Sequence, residues 1–213
     1  MGTFAAVFRS RVRPVVYPQA EHARLAAVVA AAWGNDEVAR PPLPFDSFVR
    51  GVRFHDRGYG ELDDDPLGEI SADRWLEIMR RGFEAQDADP VVDLVAAMHI
   101  RRLVSFARPA ELAAFDAELP ARMSAAGVTE ADAAAADAVT NLCDRLSFAF
   151  CFEEGEEGRV GESAYTVDGE GRATLAPWPL GVPELREPVV GYRSEGYPQT
   201  LEPVERVFVL RPG

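Results

Sequence analysis

Lysine is missing from this chain, and all 22 basic residues are arginine. Schiff-base and lysine-nucleophile chemistry are thereby excluded. Cysteine is almost as scarce: Cys143 and Cys151 are the only two, in one helical pattern and without a Cys-x-x-Cys spacing. They suggest no disulfide framework and read as small core residues of a reduced, cytoplasmic protein. No basic segment precedes an apolar run near the N-terminus, so no secretory signal is expected. The longest apolar run, Leu25 to Trp33, is too short to span a bilayer. No basic stripe interrupts a formal charge of -13, which argues against nucleic-acid and anionic-membrane partners alike.

With 213 residues, 47% of them hydrophobic and 27% charged, the chain is expected to form one soluble globular domain. Residues 3 to 17 alternate valine and phenylalanine with arginine and proline, as short edge strands do. A helix is expected from Pro18 to a Gly34-Asn35 stop, and another from an Asp46 N-cap through His55 and Asp56. Arg57 to Ile70, rich in glycine and aspartate, reads as a loop. Helices follow from Ser71 or Asp73, from Asp89-Pro90, from Pro109 to Ala126 with a kink at Pro120, and from a Thr129/Asp132 capping pair to Phe152. An acidic loop, E-E-G-E-E-G, breaks the composition there. Short β-prone runs come next: Ser163 to Val167, Arg172 to Leu175, Pro188 to Tyr192 and Arg206 to Leu210, with a hairpin turn at Val167 to Gly171. The expected fold is mainly α: a helical bundle over about 18–153, with a small antiparallel β appendage from 3–17 and 160–211.

Histidine occurs at three positions, 22, 55 and 99, and His55 precedes Asp56 directly. His22 and Asp144 are polar residues in otherwise apolar helical patterns. A histidine, a His-Asp pair and a distant aspartate together form a ligand set for a divalent metal, whether zinc, manganese, iron or magnesium. Each residue has a plainer alternative. His22 and His99 also fit core histidines, and Asp144 also fits a buried ion pair with an arginine. Around Asp144, Thr140, Asn141 and Ser147 make a polar stripe on an apolar helix.

In this order the residues H…HD…D resemble the HD-domain superfamily of metal-dependent phosphohydrolases. The finer pattern is similar to an uncharacterised bacterial family related to it. The matching segments are Gln19-Ala20-Glu21-His22-Ala23, Trp33-Gly34, His55-Asp56-Arg57-Gly58-Tyr59, His99, and Cys143-Asp144-Arg145-Leu146-Ser147. Tyr59 stands where that family usually has tryptophan. The resemblance implies an HD-like bundle with His22, His55, Asp56 and Asp144 as metal ligands. Two-metal members carry H…HD…H…H…D, which takes more histidines than this chain has, so one ion is expected.

Within that frame His99 is a candidate proton shuttle or substrate contact, and Arg57 and Asp63 are candidate catalytic groups. Tyr59, Arg102 and Arg145 are candidate substrate contacts, since arginine forks suit anionic substrates. The 57–70 loop is expected to be partly mobile and to wall the pocket, with Asp63, Asp64 and Asp65 facing water. The expected activity is hydrolysis of a small phosphorylated or nucleotide-like metabolite through a metal-activated water. A non-catalytic metal- or metabolite-binding module is the alternative, and a single-iron oxygenase a more distant one.

Overall fold

The computed structural model describes residues 3–5, 8–63, 69–152 and 155–213. Three short strands, β1 (Thr3–Ala5), β2 (Phe8–Arg9) and β3 (Val15–Tyr17), lead into helices α1 (Gln19–Ala31) and α2 (Phe45–Arg53). Strand β4 (Glu69–Ser71) precedes α3 (Ala72–Glu84), α4 (Pro90–Ala107), α5 (Leu112–Asp116), α6 (Leu119–Ala126) and the long α7 (Glu130–Phe152). The chain ends in β5 (Glu156–Val160), β6 (Ser163–Val167), β7 (Arg172–Ala176), β8 (Leu185–Arg193) and β9 (Pro203–Pro212).

Local chemistry sets several of the boundaries. The Ser71 hydroxyl accepts from the Arg74 amide, and the Asp89 carboxylate accepts from Val91 just before Pro90. Each satisfies an N–H that the first helical turn leaves unpaired. Thr129 accepts from the Asp132 amide and donates to its carboxylate, as a shortened capping box would. Gly127 ends α6 in the left-handed conformation, at φ 65°. Asp46 caps nothing: α2 begins at Phe45, after Pro44.

Helices α1, α2, α7 and α4 form a ring in which α1 packs on α2 and α7, and α4 packs on the same two. Against this ring lies a seven-stranded curled sheet in the order β2-β3-β8-β9-β7-β6-β5. Its pairs are antiparallel except for β7 with β9, which is parallel. Residues before the first helix thus share a sheet with the last strand, through Val16 opposite Tyr192 and Leu185 opposite Leu210.

The expectation of a mainly α, or all-α, bundle with an antiparallel β appendage is therefore incorrect. The sheet is mixed, and one continuous core joins it to the helices. Leu25, Phe48, Val95, Leu146 and Phe150 belong to the same buried cluster as Leu175, Val189, Phe208 and Leu210. Phe150 of α7 meets Phe208 of β9 edge to face, with centroids 5.4 Å apart, and Tyr17 lies on its other side at 6.0 Å. Strands β8 and β9 are longer than their sequence suggests because their solvent faces carry Arg, Glu and Pro, which mask the alternation.

Three smaller corrections have similar causes. Much of the acidic stretch after α7 forms β5, with Gly158 paired opposite Tyr165, whose ring would meet a Cβ there at 2.4 Å. The stretch from Pro109 to Ala126 is a short 3₁₀ turn followed by α5 and α6, with Pro120 in the first turn of α6 rather than at a kink. The 57–70 segment contains a 3₁₀ turn, Arg57–Tyr59, and the strand β4.

Because the sheet and helices share a core, Phe208→Ala should cost about 3–5 kcal/mol of global stability. Urea unfolding followed by circular dichroism should show one transition at a lower midpoint. Loss of strand signal ahead of helix signal would mean the sheet is a separable appendage.

Candidate metal centre

The ring of four helices brings five polar groups together. His22 comes from the first turn of α1, His99 from the middle of α4 and Asp144 from the middle of α7. His55 and Asp56 lie just past the end of α2, whose last helical residue is Arg53. That position differs from the expected continuous helix and has a consequence. The turn frees the two adjacent side chains from the roughly 100° divergence that a helix imposes. Both then point at the same point in space. His55 Nε2 lies 3.2 Å from Asp56 Oδ2 and 3.6 Å from Asp144 Oδ1. His22 Nε2 lies 3.1 Å from Asp144 Oδ1 and 3.5 Å from Asp56 Oδ2.

The outer bonds of the imidazoles decide which nitrogen faces inward with a lone pair. His55 Nδ1 lies 2.6 Å from the Val52 carbonyl, so it donates and leaves Nε2 as the acceptor nitrogen. His22 Nδ1 lies 2.9 Å from Ser147 Oγ. The Ser147 proton is donated to the Asp144 carbonyl, so His22 Nδ1 donates to the hydroxyl and Nε2 is the inward nitrogen, at hydrogen-bond distance from Asp144 Oδ1. Both histidines thus turn Nε2 towards carboxylate oxygens in the protein interior, where His22 and His55 are each 0% exposed. A cation that displaced the proton from each inward nitrogen would find imidazole and carboxylate donors around it. This is how ligating histidines are normally held, with the second nitrogen bonded outward to a carbonyl or hydroxyl.

His55 Nε2 carries the clearest signal. It is buried and makes no hydrogen bond among the described residues, despite its short distance to Asp56. Burial pulls the His55 pKa down, but the Asp56 and Asp144 carboxylates carry it up to about 10. Burial opposes ionisation of Asp56 too, yet His55 and His99 hold it well below the usual carboxylate range. Asp144 is likewise held low against burial, by His22 and His55. The surroundings of these atoms favour positive charge strongly. A divalent cation satisfies them, and the donor set of two imidazoles and two carboxylates fits zinc, manganese or iron.

His99 is held in the opposite tautomer. Arg102 Nη2 lies 3.0 Å from His99 Nδ1, and a guanidinium can only donate. Nδ1 is therefore the acceptor, and Nε2 donates to Asp56 Oδ1 at 3.2 Å. With its proton on the inner nitrogen His99 has no lone pair for a cation, although it sits near His55 and Asp56. Its ring lies 4.3 Å from that of His55, and burial together with the His55 charge lowers its pKa. His99 orients the carboxylate, and Arg102 orients His99.

Several residues expected at the substrate have other occupations. Arg102 is wired to Asp137, Asn141 and His99, and reaches Asp144 Oδ2 at 3.5 Å. Its fork braces the cluster from behind. Arg57 donates to the carbonyls of Gly82 and Ala85 and pairs with Asp93 at 2.7 Å. The Gly58 carbonyl in turn accepts from Arg81. Gly58 approaches α3 so closely that an added Cβ would meet the Ile78 carbonyl at 2.3 Å, so glycine is required there. Tyr59 is buried in the second core cluster with Ile78 and Phe83 and is hydrogen-bonded to Trp75; burial and Asp56 raise its pKa.

The turn after the His-Asp pair is therefore held by hydrogen bonds from Arg57 at least to Asp63. Tyr197 donates to the Leu62 carbonyl, and the Asp63 carboxylate accepts from the Gln19 amide at 3.2 Å. Asp63 is 3% exposed and serves the N-terminus of α1, where a carboxylate is favoured. The expectation that Asp63 faces water is corrected accordingly. Asp64 and Asp65 lie outside the described residues. Arg145 is exposed and joins none of the bonds of the cluster described above.

A cleft of about 360 Å³ opens on Asp56, lined by Ala20, Ala23, Arg53, Phe54, Arg57, Gly60 and Glu61. It gives the centre a route to solvent past the start of α1. Sequence reasoning did not single out Arg53, or the roles of Ser147 and Asn141 in the polar stripe of α7. That stripe, three and four residues from Asp144, was the available signal.

The family model of DUF3891, a protein of unknown function, matches residues 9–191. The chain belongs to this family. The match includes all five residues of the cluster and the helical ring, and extends into β8; β9 lies beyond it. No curated protein and no solved structure matches the chain.

Ser147→Ala removes the hydroxyl that fixes the His22 tautomer while leaving every inward-facing atom in place. Divalent-metal affinity, measured by competition with a chromophoric chelator, should fall about 10- to 100-fold. An unchanged affinity would show that His22 needs no such orientation and is not a ligand.

Proposed function

We propose that this protein is a single-metal hydrolase of a small phosphorylated or nucleotide-like metabolite. One observation carries the reading: the buried His55 Nε2 makes no hydrogen bond among the described residues, yet it lies within 3.6 Å of carboxylate oxygens of both Asp56 and Asp144. A buried carboxylate or imidazole acceptor is normally paired with a donor or a cation. Two carboxylates and two outward-anchored imidazoles leave that part to a cation.

His22, His55, Asp56 and Asp144 would hold the ion. A divalent cation supplies Lewis acidity, lowering the pKa of water and polarising a phosphoryl oxygen. The protein's own part is orientation. Val52 and Ser147 keep the two imidazoles in the ligating tautomer, and His99 holds Asp56 by its N–H. Arg102 keeps His99 from competing for the ion. The cleft beside Asp56 is large enough for a small substrate. The order of the ligands along the chain, which resembles that of HD phosphohydrolases, supports phosphoester chemistry in particular.

A second reading is a metal- or metabolite-sensing module without catalysis. The depth of the cluster favours it, since the side chains of Asp56 and Asp144 are only 6% and 11% exposed. Enzyme and sensor differ in whether a coordination position stays open to the cleft.

Elemental analysis of the purified protein should find about one transition-metal ion per chain. Asp144→Asn should remove it, whereas His99→Gln should retain it. The loaded protein should release phosphate from members of a panel of phosphomonoesters and nucleotides, and Asp144→Asn should not. Full metal occupancy in Asp144→Asn would sink the assignment. Metal without turnover across the panel would favour the sensor.

A further inference from the structure

The cleft beside Asp56 has a second charged feature. Arg53 closes α2 two residues before His55, and it is half-buried on the cleft wall. One of its N–H groups is committed: Nη1 donates to the Ala20 carbonyl at 2.7 Å, which fixes the guanidinium against the first turn of α1. Its remaining donors have no hydrogen-bond or ion-pair partner among the described residues. That is unusual in this molecule, where the neighbouring arginines are occupied. Arg24 is held by Glu21 and Glu187, Arg50 by Asp87, and Arg57 by Asp93 and two carbonyls.

The other walls indicate what kind of ligand would lie there. Ala20, Ala23 and Gly60 give small, smooth surfaces, and Phe54 presents an aromatic ring that is 41% exposed. Phe54 directly follows Arg53, so an apolar body and an anionic group would be recognised side by side. Glu61 lies exposed at the rim, and its charge disfavours anions that stop there. The cleft volume of about 360 Å³ suits a small organic molecule rather than a chain segment.

We infer that Arg53 is the anion-recognising residue of this cleft, and that the ligand is a small organic oxyanion whose apolar or aromatic body lies on Phe54. The inference deepens the proposed hydrolase reading, because the same cleft leads to Asp56. A guanidinium held by one bond and free at its other edge offers two parallel donors to a phosphoryl or carboxylate group. It would fix the ligand's orientation relative to Asp56 rather than take part in bond breaking.

The test is calorimetric titration of phenyl phosphate, benzoate and benzyl alcohol into the protein. It is done first as purified, with its metal content counted, and again after dialysis against a chelator. Wild type should bind phenyl phosphate and bind benzyl alcohol at least about tenfold more weakly, a gap of about 1.4 kcal/mol. Benzoate separates a general oxyanion site from one that needs a phosphoryl group: binding close to that of phenyl phosphate assigns the former. Arg53→Gln should weaken phenyl phosphate binding about tenfold or more at unchanged metal content. Arg53→Lys, which keeps the charge but not the fork, should fall between the two and serves as the probe if the glutamine variant does not fold.

Phenyl phosphate affinity within twofold of wild type in the folded variants would overturn the inference. So would wild-type binding of benzyl alcohol as tight as that of phenyl phosphate, or no wild-type binding of phenyl phosphate up to about 10 mM. The two readings fail separately. Arg53-dependent binding in a protein that holds no metal would refute the hydrolase and leave the anion site. One metal per chain with binding indifferent to Arg53 would do the reverse.

Discussion

Two carboxylates buried side by side with imidazole lone pairs are the constraint on which the rest of this structure turns. Asp56 and Asp144 come from distant parts of the chain and are ionised despite burial. Such a pair in a low-dielectric interior is strongly unfavourable unless positive charge is placed between or beside them. The chain meets the requirement at several depths. Arg102 stands behind Asp144, the His99 N–H faces Asp56, and the Nε2 atoms of His22 and His55 each lie within 3.6 Å of both carboxylates.

The architecture keeps these groups in register. Helices α1 and α7, which carry His22 and Asp144, are the two that the sheet packs against, so the core around Phe150 and Phe208 fixes their spacing. The His-Asp pair has no helix of its own to hold it and depends on the clamp supplied by α3. Arg57 reaches to Gly82, Ala85 and Asp93, and Arg81 reaches back to Gly58. Residues that looked like substrate contacts because they flank the ligands are the ones that make them rigid. Precise placement of a small constellation needs such support more than it needs additional reactive groups.

Much of the helical part was legible in the sequence, because caps such as Ser71, Asp89 and Gly127 and apolar periodicity are local signals. The sheet was not legible as an integral layer. Its pairing joins residues near 16 to residues near 192, and β7 to β9 in parallel, and nothing local records such partners. At the site, residue types with few other uses in an apolar helix marked His22 and Asp144, and the His-Asp dipeptide marked itself. The direction of an arginine side chain is not written in its neighbours, so Arg57, Arg102 and Arg145 could be placed only by the fold. The same holds for Asp63, whose partner Gln19 is at the start of another helix.

The central claim is a division of labour among three histidines that differ only in which ring nitrogen carries the proton. Nitrogen-15 NMR of the histidine rings in zinc-loaded protein reads this directly, and with histidine at positions 22, 55 and 99 alone the spectrum holds few signals to assign. The account predicts two rings protonated at Nδ1 with zinc-shifted Nε2 resonances, His22 and His55, and one ring protonated at Nε2, His99. A His99 ring protonated at Nδ1 with its Nε2 on zinc, or a His55 ring that the metal leaves unchanged, would contradict it.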